Sequence, residues 1–204
     1  MPNVHVIFVN GCGRSGKDTF MFYFRKYAEW EHTACVITMD TVKPEKRLMD
    51  IVAVRYPSIQ TSIARKTDAY RDTLAAMKDY LDEHYDLYRT DFNKQMDHII
   101  TRAYLLARIP GAIERDIVFF VVSREPEKIK QMKMDIECKY AKYYDKGLGV
   151  TTVLVKGYTS PEDYTNHADQ NVMDMEYDIV VNNNGTILDL EYNTIKLAET
   201  FKWS

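Results

Sequence analysis

The run Val4-His5-Val6-Ile7-Phe8-Val9-Asn10-Gly11-Cys12-Gly13-Arg14-Ser15-Gly16-Lys17-Asp18-Thr19 decides how this chain of 204 residues is read. Val4–Val9 is almost continuously apolar, as a strand is when both of its faces are covered. Gly11–Lys17 fits the spacing GxxxxGK, and a helical pattern from Lys17 to about Glu29 follows it. A strand that stops at a glycine-rich turn and restarts as a helix is the setting in which that spacing has physical meaning. The glycines let successive backbone N–H groups turn inward around an oxyanion, and the helix start adds its partial positive charge. Lys17 is then placed to reach the outer phosphates of a nucleoside triphosphate and to neutralise charge as the terminal bond breaks. The next position, where the motif has a Mg²⁺-binding Ser or Thr, is Asp18, with Thr19 beside it. A carboxylate there can hold Mg²⁺, directly or through water, or accept the proton of an attacking hydroxyl.

Outward from this run, strand-length apolar stretches alternate with helical patterns. Ala34–Met39, Ile117–Val122, Val150–Val155 and Tyr177–Val181 read as further strands. Lys17–Glu29, Lys43–Arg55, about Asp68–His84, about Asp91–Ala107, Pro126–Tyr143 and Leu188–Phe201 read as helices. That alternation predicts a parallel sheet of about five strands covered by helices, with ligands outside the carboxyl ends of the strands. The sequence has no repeat, low-complexity tract or Pro/Gly/Ser-rich linker, so a single domain is expected.

Composition narrows the function classes. Net charge is −3, which gives no long-range attraction to a polyanion, although a local basic cleft is compatible with it. Cys12, Cys35 and Cys138 are widely spaced, with no CxxC and no pairing pattern. An odd count without a secretory signal predicts reduced thiols in a cytoplasmic protein, and Val4–Val9 is too short to span a membrane. The fifteen tyrosines read as amphipathic cover for helices rather than as a stacking platform for nucleic acid. Lys128–Lys146, rich in lysine, reads equally as a lid or as a solvated amphipathic helix.

The string Gly-Cys-Gly-Arg-Ser-Gly-Lys-Asp-Thr resembles the loop of phage-type deoxynucleoside monophosphate kinases and, more distantly, animal-type phosphomevalonate kinase. Asp40-Thr41-Val42-Lys43 is similar to the segment that opens that family's acceptor-binding helices. Arg71–Leu81 is similar to its Arg-containing helix, and Ser123-Arg124-Glu125-Pro126 to its strand-end Arg. Asn166-His167-Ala168-Asp169-Gln170 is similar to a later His segment, and Asp178–Thr186 to the last strand and turn shared with dephospho-coenzyme A kinase. Two positions depart from the pattern. Val122 stands where the family has an Asp, and Asp169-Gln170 where it has Ser-Glu.

The resemblance implies a three-layer P-loop NTPase fold, α/β in class, with a helical acceptor-binding insertion over about 40–107. It implies an ATP- and Mg²⁺-dependent kinase of phage-like deoxynucleotide metabolism, acting on a deoxynucleoside monophosphate. On this reading Gly11, Gly13, Arg14, Ser15, Gly16, Lys17, Asp18 and Thr19 hold the triphosphate, with Asp18 and Thr19 toward the metal. Asn183 and Gly185 lie beside the base. Lys17, Arg14 and Arg124 spread the transition-state charge, and Asp18 positions the metal or the nucleophile. Asp40, Lys43, Lys66, Arg71 and His167 are the acceptor-side candidates. For Asp40 a helix N-cap competes with that role, and for Arg124 an ion pair with Glu125 or Glu127 does. A small nucleotide acceptor is the expected partner, no membrane is, and a homodimer stays open. Two alternatives remain: a kinase of the same fold acting on a hydroxyl of a modified base in DNA or of a phosphorylated metabolite, and a nucleotide-binding regulator without catalysis.

Overall fold

The structure is a computed structural model and describes residues 2–40, 43–56, 63, 65, 67–111, 114–157 and 171–204. In chain order the strands are β1 (Val4–Asn10), β2 (Cys35–Asp40), β3 (Ile117–Val122), β4 (Leu148–Gly157) and β5 (Ile179–Asn183). The α-helices are α1 (Lys17–Glu31), α2 (Lys43–Arg55), α3 (Asp68–Tyr85), α4 (Leu87–Ile100), α5 (Pro126–Tyr140) and α6 (Ile187–Ala198). The strands form one parallel sheet in the order β2-β3-β1-β4-β5, with helices on both faces.

Position in the sheet explains the composition of β1. Its neighbours are β3, through Val4↔Ile117 to Val9↔Val122, and β4, through Val4↔Leu148 to Asn10↔Leu154. All seven of its residues are buried, so the alternation of a half-exposed strand is absent. On one face Ile7, Val9, Phe120, Val153 and Val155 pack against Phe20, Phe24 and Ala28 of α1 and Leu190 and Ala198 of α6. The Phe24 and Phe120 rings meet edge to face, with centroids 5.2 to 6.5 Å apart across the cluster of Phe20, Phe24, Phe120 and Phe201. On the other face Val6, Phe8, Phe119 and Val121 are as completely buried. Truncating any one of these phenylalanines to alanine costs about 3–5 kcal/mol by lost transfer energy and residual cavity.

The amino end of the sheet is closed by matched polar groups. His5 Nε2 donates to the Lys202 carbonyl at 2.9 Å, and its ring lies edge-on to Phe201 and Trp203. The Asp116 carboxylate, 2% exposed, accepts the Asn3 N–H at 2.6 Å, the Ser204 N–H at 2.7 Å and the Ser204 hydroxyl at 2.6 Å.

Several boundaries differ from the sequence reading. The last strand begins at Ile179, because Asp178 acts as a clasp beside it: its Oδ2 accepts the Thr152 N–H (2.7 Å) and hydroxyl (2.8 Å). The helix expected over about Asp91–Ala107 starts earlier and leaves α geometry at Ile100, passing through a π-helical turn, Thr101–Leu105, and a 3₁₀ turn, Leu106–Arg108. α5 ends at Tyr140, followed by a 3₁₀ segment, Ala141–Lys146. Its inner face, Ile129, Met132, Ile136 and Tyr140, is buried.

The chain divides into two compact units, residues 1–39 with 95–204, and residues 40–94. The second overlaps the expected helical insertion. Within it α2 packs on α3, and the Thr67 hydroxyl caps α3 by accepting the Tyr70 N–H at 3.3 Å.

Candidate functional site

β1 sits in the middle of the sheet, and the connections leaving it and β4 run in opposite directions. The crevice between their carboxyl ends is therefore a switch point, where an α/β sheet has room for a ligand. Residues 11–16 fill the mouth of that crevice. Gly11 adopts φ +150° and Gly16 φ +96°, a region that side chains rarely enter. Space is equally restrictive. A Cβ on Gly11 would strike the Val155 carbonyl of β4, and one on Gly16 would strike the Asn183 amide of β5. Arg14, φ +61°, takes the left-handed conformation without being glycine, at a cost of about 1–2 kcal/mol.

The loop is held from inside and from both flanks. Lys17, 8% exposed, donates from Nζ to the Gly11 carbonyl at 2.6 Å and to the Cys12 carbonyl at 2.7 Å, so its ammonium lies across the loop. The Gly11 N–H donates to Asn10 Oδ1 at 2.7 Å, and Asn183 Nδ2 donates to the Ser15 carbonyl at 3.0 Å. Ser15 Oγ is the exception. It is buried without a hydrogen-bond partner and stands over Gly11, where a Cβ would be 2.6 Å from it. A buried hydroxyl left unmatched costs about 1–3 kcal/mol, so a loop that turns one inward is shaped for polar atoms from elsewhere. The start of α1 agrees: its N-cap, Gly16, makes no side-chain cap, leaving the first turn to other acceptors.

Phosphate oxygens fit this arrangement, since they accept from a hydroxyl, from helix N–H groups and from an ammonium at once. Asp18 is exposed and Thr19 half-buried in the first turn of α1, open to a cation shared with phosphate. Among the described residues no cluster of three or more His, Cys, Asp or Glu side chains would hold a metal unaided.

The other candidates are placed unevenly. Arg124 is half-buried just past the end of β3. The neighbouring Ser123 N–H bonds the Val9 carbonyl at 3.2 Å, so Arg124 lies at the same end of the sheet as the loop. Beside it, Glu125 pairs with Lys128 at 3.0 Å and Glu127 with Lys130 at 2.6 Å. Asn183, expected beside a base, bonds the Ser15 carbonyl of the loop. Gly185 precedes α6, close against the Asp189 carboxylate. Asp40 ends β2 and pairs with Lys46 at 2.9 Å. Lys43 and Arg71 lie in α2 and α3, their side chains outside the described ones, and Lys66 and His167 lie outside the described residues.

Sequence reading missed Asn10, Tyr177 and Gly157. Gly157 ends β4 so close to the loop that a Cβ would stand 2.9 Å from Ser15 Cα. A glycine closing an apolar run was its only signal.

A cleft of about 890 Å³ opens at the amino end of the sheet, lined by residues that include Asn3, His5, Thr151 and Lys202. None of its buried side-chain polar atoms is left without a partner, among the described residues. Its size is therefore not a guide to chemistry, and the convergent, unmatched groups at the carboxyl end are.

The architecture is the three-layer α/β fold expected from the sequence, a parallel five-stranded sheet with helices on both faces. No family model matches the chain, and no curated protein matches it in sequence. Among solved structures it is similar to the APS kinase CysC of Mycobacterium tuberculosis, at 14% identity and a TM-score of 0.42, covering 98% of this chain and 100% of that one. It is also similar to the protein APE1195, at 13% identity and a TM-score of 0.43, covering 98% and 96%. Both likenesses are distant, and the reading of the site stands on its own geometry. No helix among the described residues is long and apolar enough to cross a membrane.

Proposed function

We propose that this protein is a cytoplasmic phosphotransferase that binds Mg²⁺·ATP on residues 11–19 and passes the γ-phosphoryl group to a deoxynucleoside monophosphate. The observation that carries the proposal is the buried, unmatched Ser15 hydroxyl inside a loop that Lys17 spans and that opens into an uncapped helix.

The roles combine the geometry of the loop with the resemblance of the segments after it. Ser15 Oγ and the first N–H groups of α1 bind phosphate oxygens. Lys17 exchanges its bonds to the Gly11 and Cys12 carbonyls for phosphate oxygens, and so arrives desolvated where negative charge builds up. Arg14 and Arg124 add charge from the loop and from the end of β3. Asp18 and Thr19 would hold Mg²⁺, which when bound neutralises the phosphates and fixes their geometry. Asp40, Lys43, Lys66, Arg71 and His167 bind the acceptor, and Asp40 would first have to be released from Lys46. The choice of acceptor rests on the resemblance of the loop and the segments after it.

The test is ADP release from Mg²⁺·ATP with each deoxynucleoside monophosphate in turn, with Lys17→Ala as control. Acceptor-dependent ADP that disappears in the variant supports the proposal and names the acceptor. Binding of ATP without turnover on any monophosphate overturns the acceptor and leads to oligonucleotides bearing hydroxylated bases.

A further inference from the structure

The phosphate loop is tied to a stretch of chain more than 150 residues away. Asn10, the last residue of β1, is fully buried and uses both ends of its amide. Its Oδ1 accepts the Gly11 N–H at 2.7 Å, and its Nδ2 donates to the Tyr177 hydroxyl at 2.7 Å. That hydroxyl donates onward to the Val172 carbonyl at 2.6 Å. The Val172 side chain, wholly buried, packs with Cys12 and Leu154, and the Tyr177 ring lies against the same cluster. The first two loop residues are thus gripped twice, Gly11 through a relay of hydrogen bonds and Cys12 through apolar contact.

We infer that Asn10 and Tyr177 are positioning residues, which set the shape of the phosphate loop through the Gly11 peptide rather than by touching the nucleotide. The inference rests on the proposed phosphate-binding role of the loop. An asparagine amide can rotate or present either end, and only a partner that accepts at Nδ2 fixes which end meets Gly11. Tyr177 supplies that partner, and the Val172 carbonyl in turn fixes its hydroxyl by accepting the O–H. Burial holds the Tyr177 phenol protonated, with its pKa raised to about 12 although the Asn10 bond favours the phenolate, so both bonds persist at neutral pH. At the other end of the loop, Asn183 fixes the Ser15 carbonyl. With its first N–H and its Ser15 carbonyl fixed, the loop keeps the Ser15 hydroxyl turned inward. Without the relay, the Asn10–Gly11 peptide loses its restraint, and the turn at Gly11 that presents the Gly11 carbonyl to Lys17 is less firmly set.

Tyr177→Phe removes one oxygen and keeps the ring in its cluster, so it tests the relay with the least disturbance. Wild type, Tyr177→Phe, Asn10→Ala, the double variant and Lys17→Ala are compared in two ways: affinity for a fluorescent ATP analogue, and the rise in thermal midpoint given by inorganic tripolyphosphate. The expected result is about a tenfold loss of affinity in each single variant, the factor that one ordinary hydrogen bond carries. The double variant should lose little more than either single one, because both break the same relay. The tripolyphosphate-induced rise should shrink in step, since that rise reports affinity for the folded state and not basal stability. A lower basal midpoint in Tyr177→Phe, with affinity within twofold of wild type and an unchanged rise, would make the pair merely structural and overturn the inference. Losses that multiply in the double variant overturn the relay. Wild-type protein that shows no Lys17-dependent binding overturns the phosphate-binding reading, and the positioning role falls with it. If Asn10→Ala does not fold, Tyr177→Phe decides alone.

Discussion

Two helices of the first unit, α1 and α6, each follow a parallel strand at the carboxyl end of the sheet, and their first turns are built in opposite ways. α6 closes itself. The Thr186 hydroxyl accepts the Asp189 N–H at 3.2 Å, and the Asp189 carboxylate accepts the Thr186 N–H at 2.7 Å, so two otherwise orphaned donors are satisfied within the chain. α1 starts from Gly16, which has no side chain to cap with, although Ser15, Asp18 and Thr19 are all residue types that cap helices elsewhere. Ser15 turns its hydroxyl over Gly11 instead and leaves it unmatched. The chain can seal a helix start, and at α6 it does so. An open first turn beside an unmatched hydroxyl is what the proposed phosphate binding requires, and the sealed start of α6 serves as its comparison.

The comparison breaks most visibly at Lys17. Lys17→Ala should lower kcat by about 10²–10³, the usual effect of removing one preorganised charged donor, while the urea unfolding midpoint changes little. A midpoint that collapses together with activity would make α1 a structural start like α6. Gly16→Ala should come next. It forces a side chain into φ +96° and against the Asn183 amide, costing about 2 kcal/mol in urea unfolding and loosening ATP binding as well. Thr186→Ala is the reciprocal test: about 1 kcal/mol of stability should be lost, with the tripolyphosphate-induced rise in thermal midpoint unchanged. A reduced rise there would show that the two helix starts are not independent.

The smallest effect lies at the amino end, away from both helix starts. Burial holds the His5 pKa below its ordinary value of 6.5, against the opposing pull of the Lys202 carbonyl and Asp116. The unfolded chain therefore binds more protons than the folded one as pH falls through 6.5. Stability should decline on acidification from about that pH until the folded pKa is passed. Urea titrations between pH 7 and 5 should show this slope, and His5→Gln should flatten it. A slope that persists in the variant would place its source elsewhere.

The strands and the loop were legible because their signals are local. Val4–Val9 and Ile117–Val122 are continuous apolar runs, and Gly11–Lys17 carries its meaning in its own spacing. The groups that hold the loop were not legible. Asn10 and Tyr177, or Asn183 and Ser15, meet only because β1, β4 and β5 lie side by side, and a hydrogen bond across such a separation leaves no periodic trace in the sequence. The position of Asn183 after the last strand marks it for a base contact, and its bond to the Ser15 carbonyl at 3.0 Å has no trace in the sequence, since only the fold brings the two together. The π-helical turn at Thr101–Leu105 was hidden for a related reason: its apolar spacing differs from that of an α-helix by too little to register over five residues.

The strand order has a consequence for how the chain is made. β1 leaves the ribosome before both of its partners, since Val4 pairs with Ile117 on one side and Leu148 on the other. At about 5–20 residues per second on the ribosome, its second partner follows on the order of ten seconds later. Until then β1 leaves the backbone donors and acceptors of one edge without their native partner, open to mispairing. Chains stalled before β4 should be cut by protease within Val4–Asn10, and chains released past Gly157 should resist. The strand that carries the phosphate loop thus waits for its second neighbour long after it has left the ribosome.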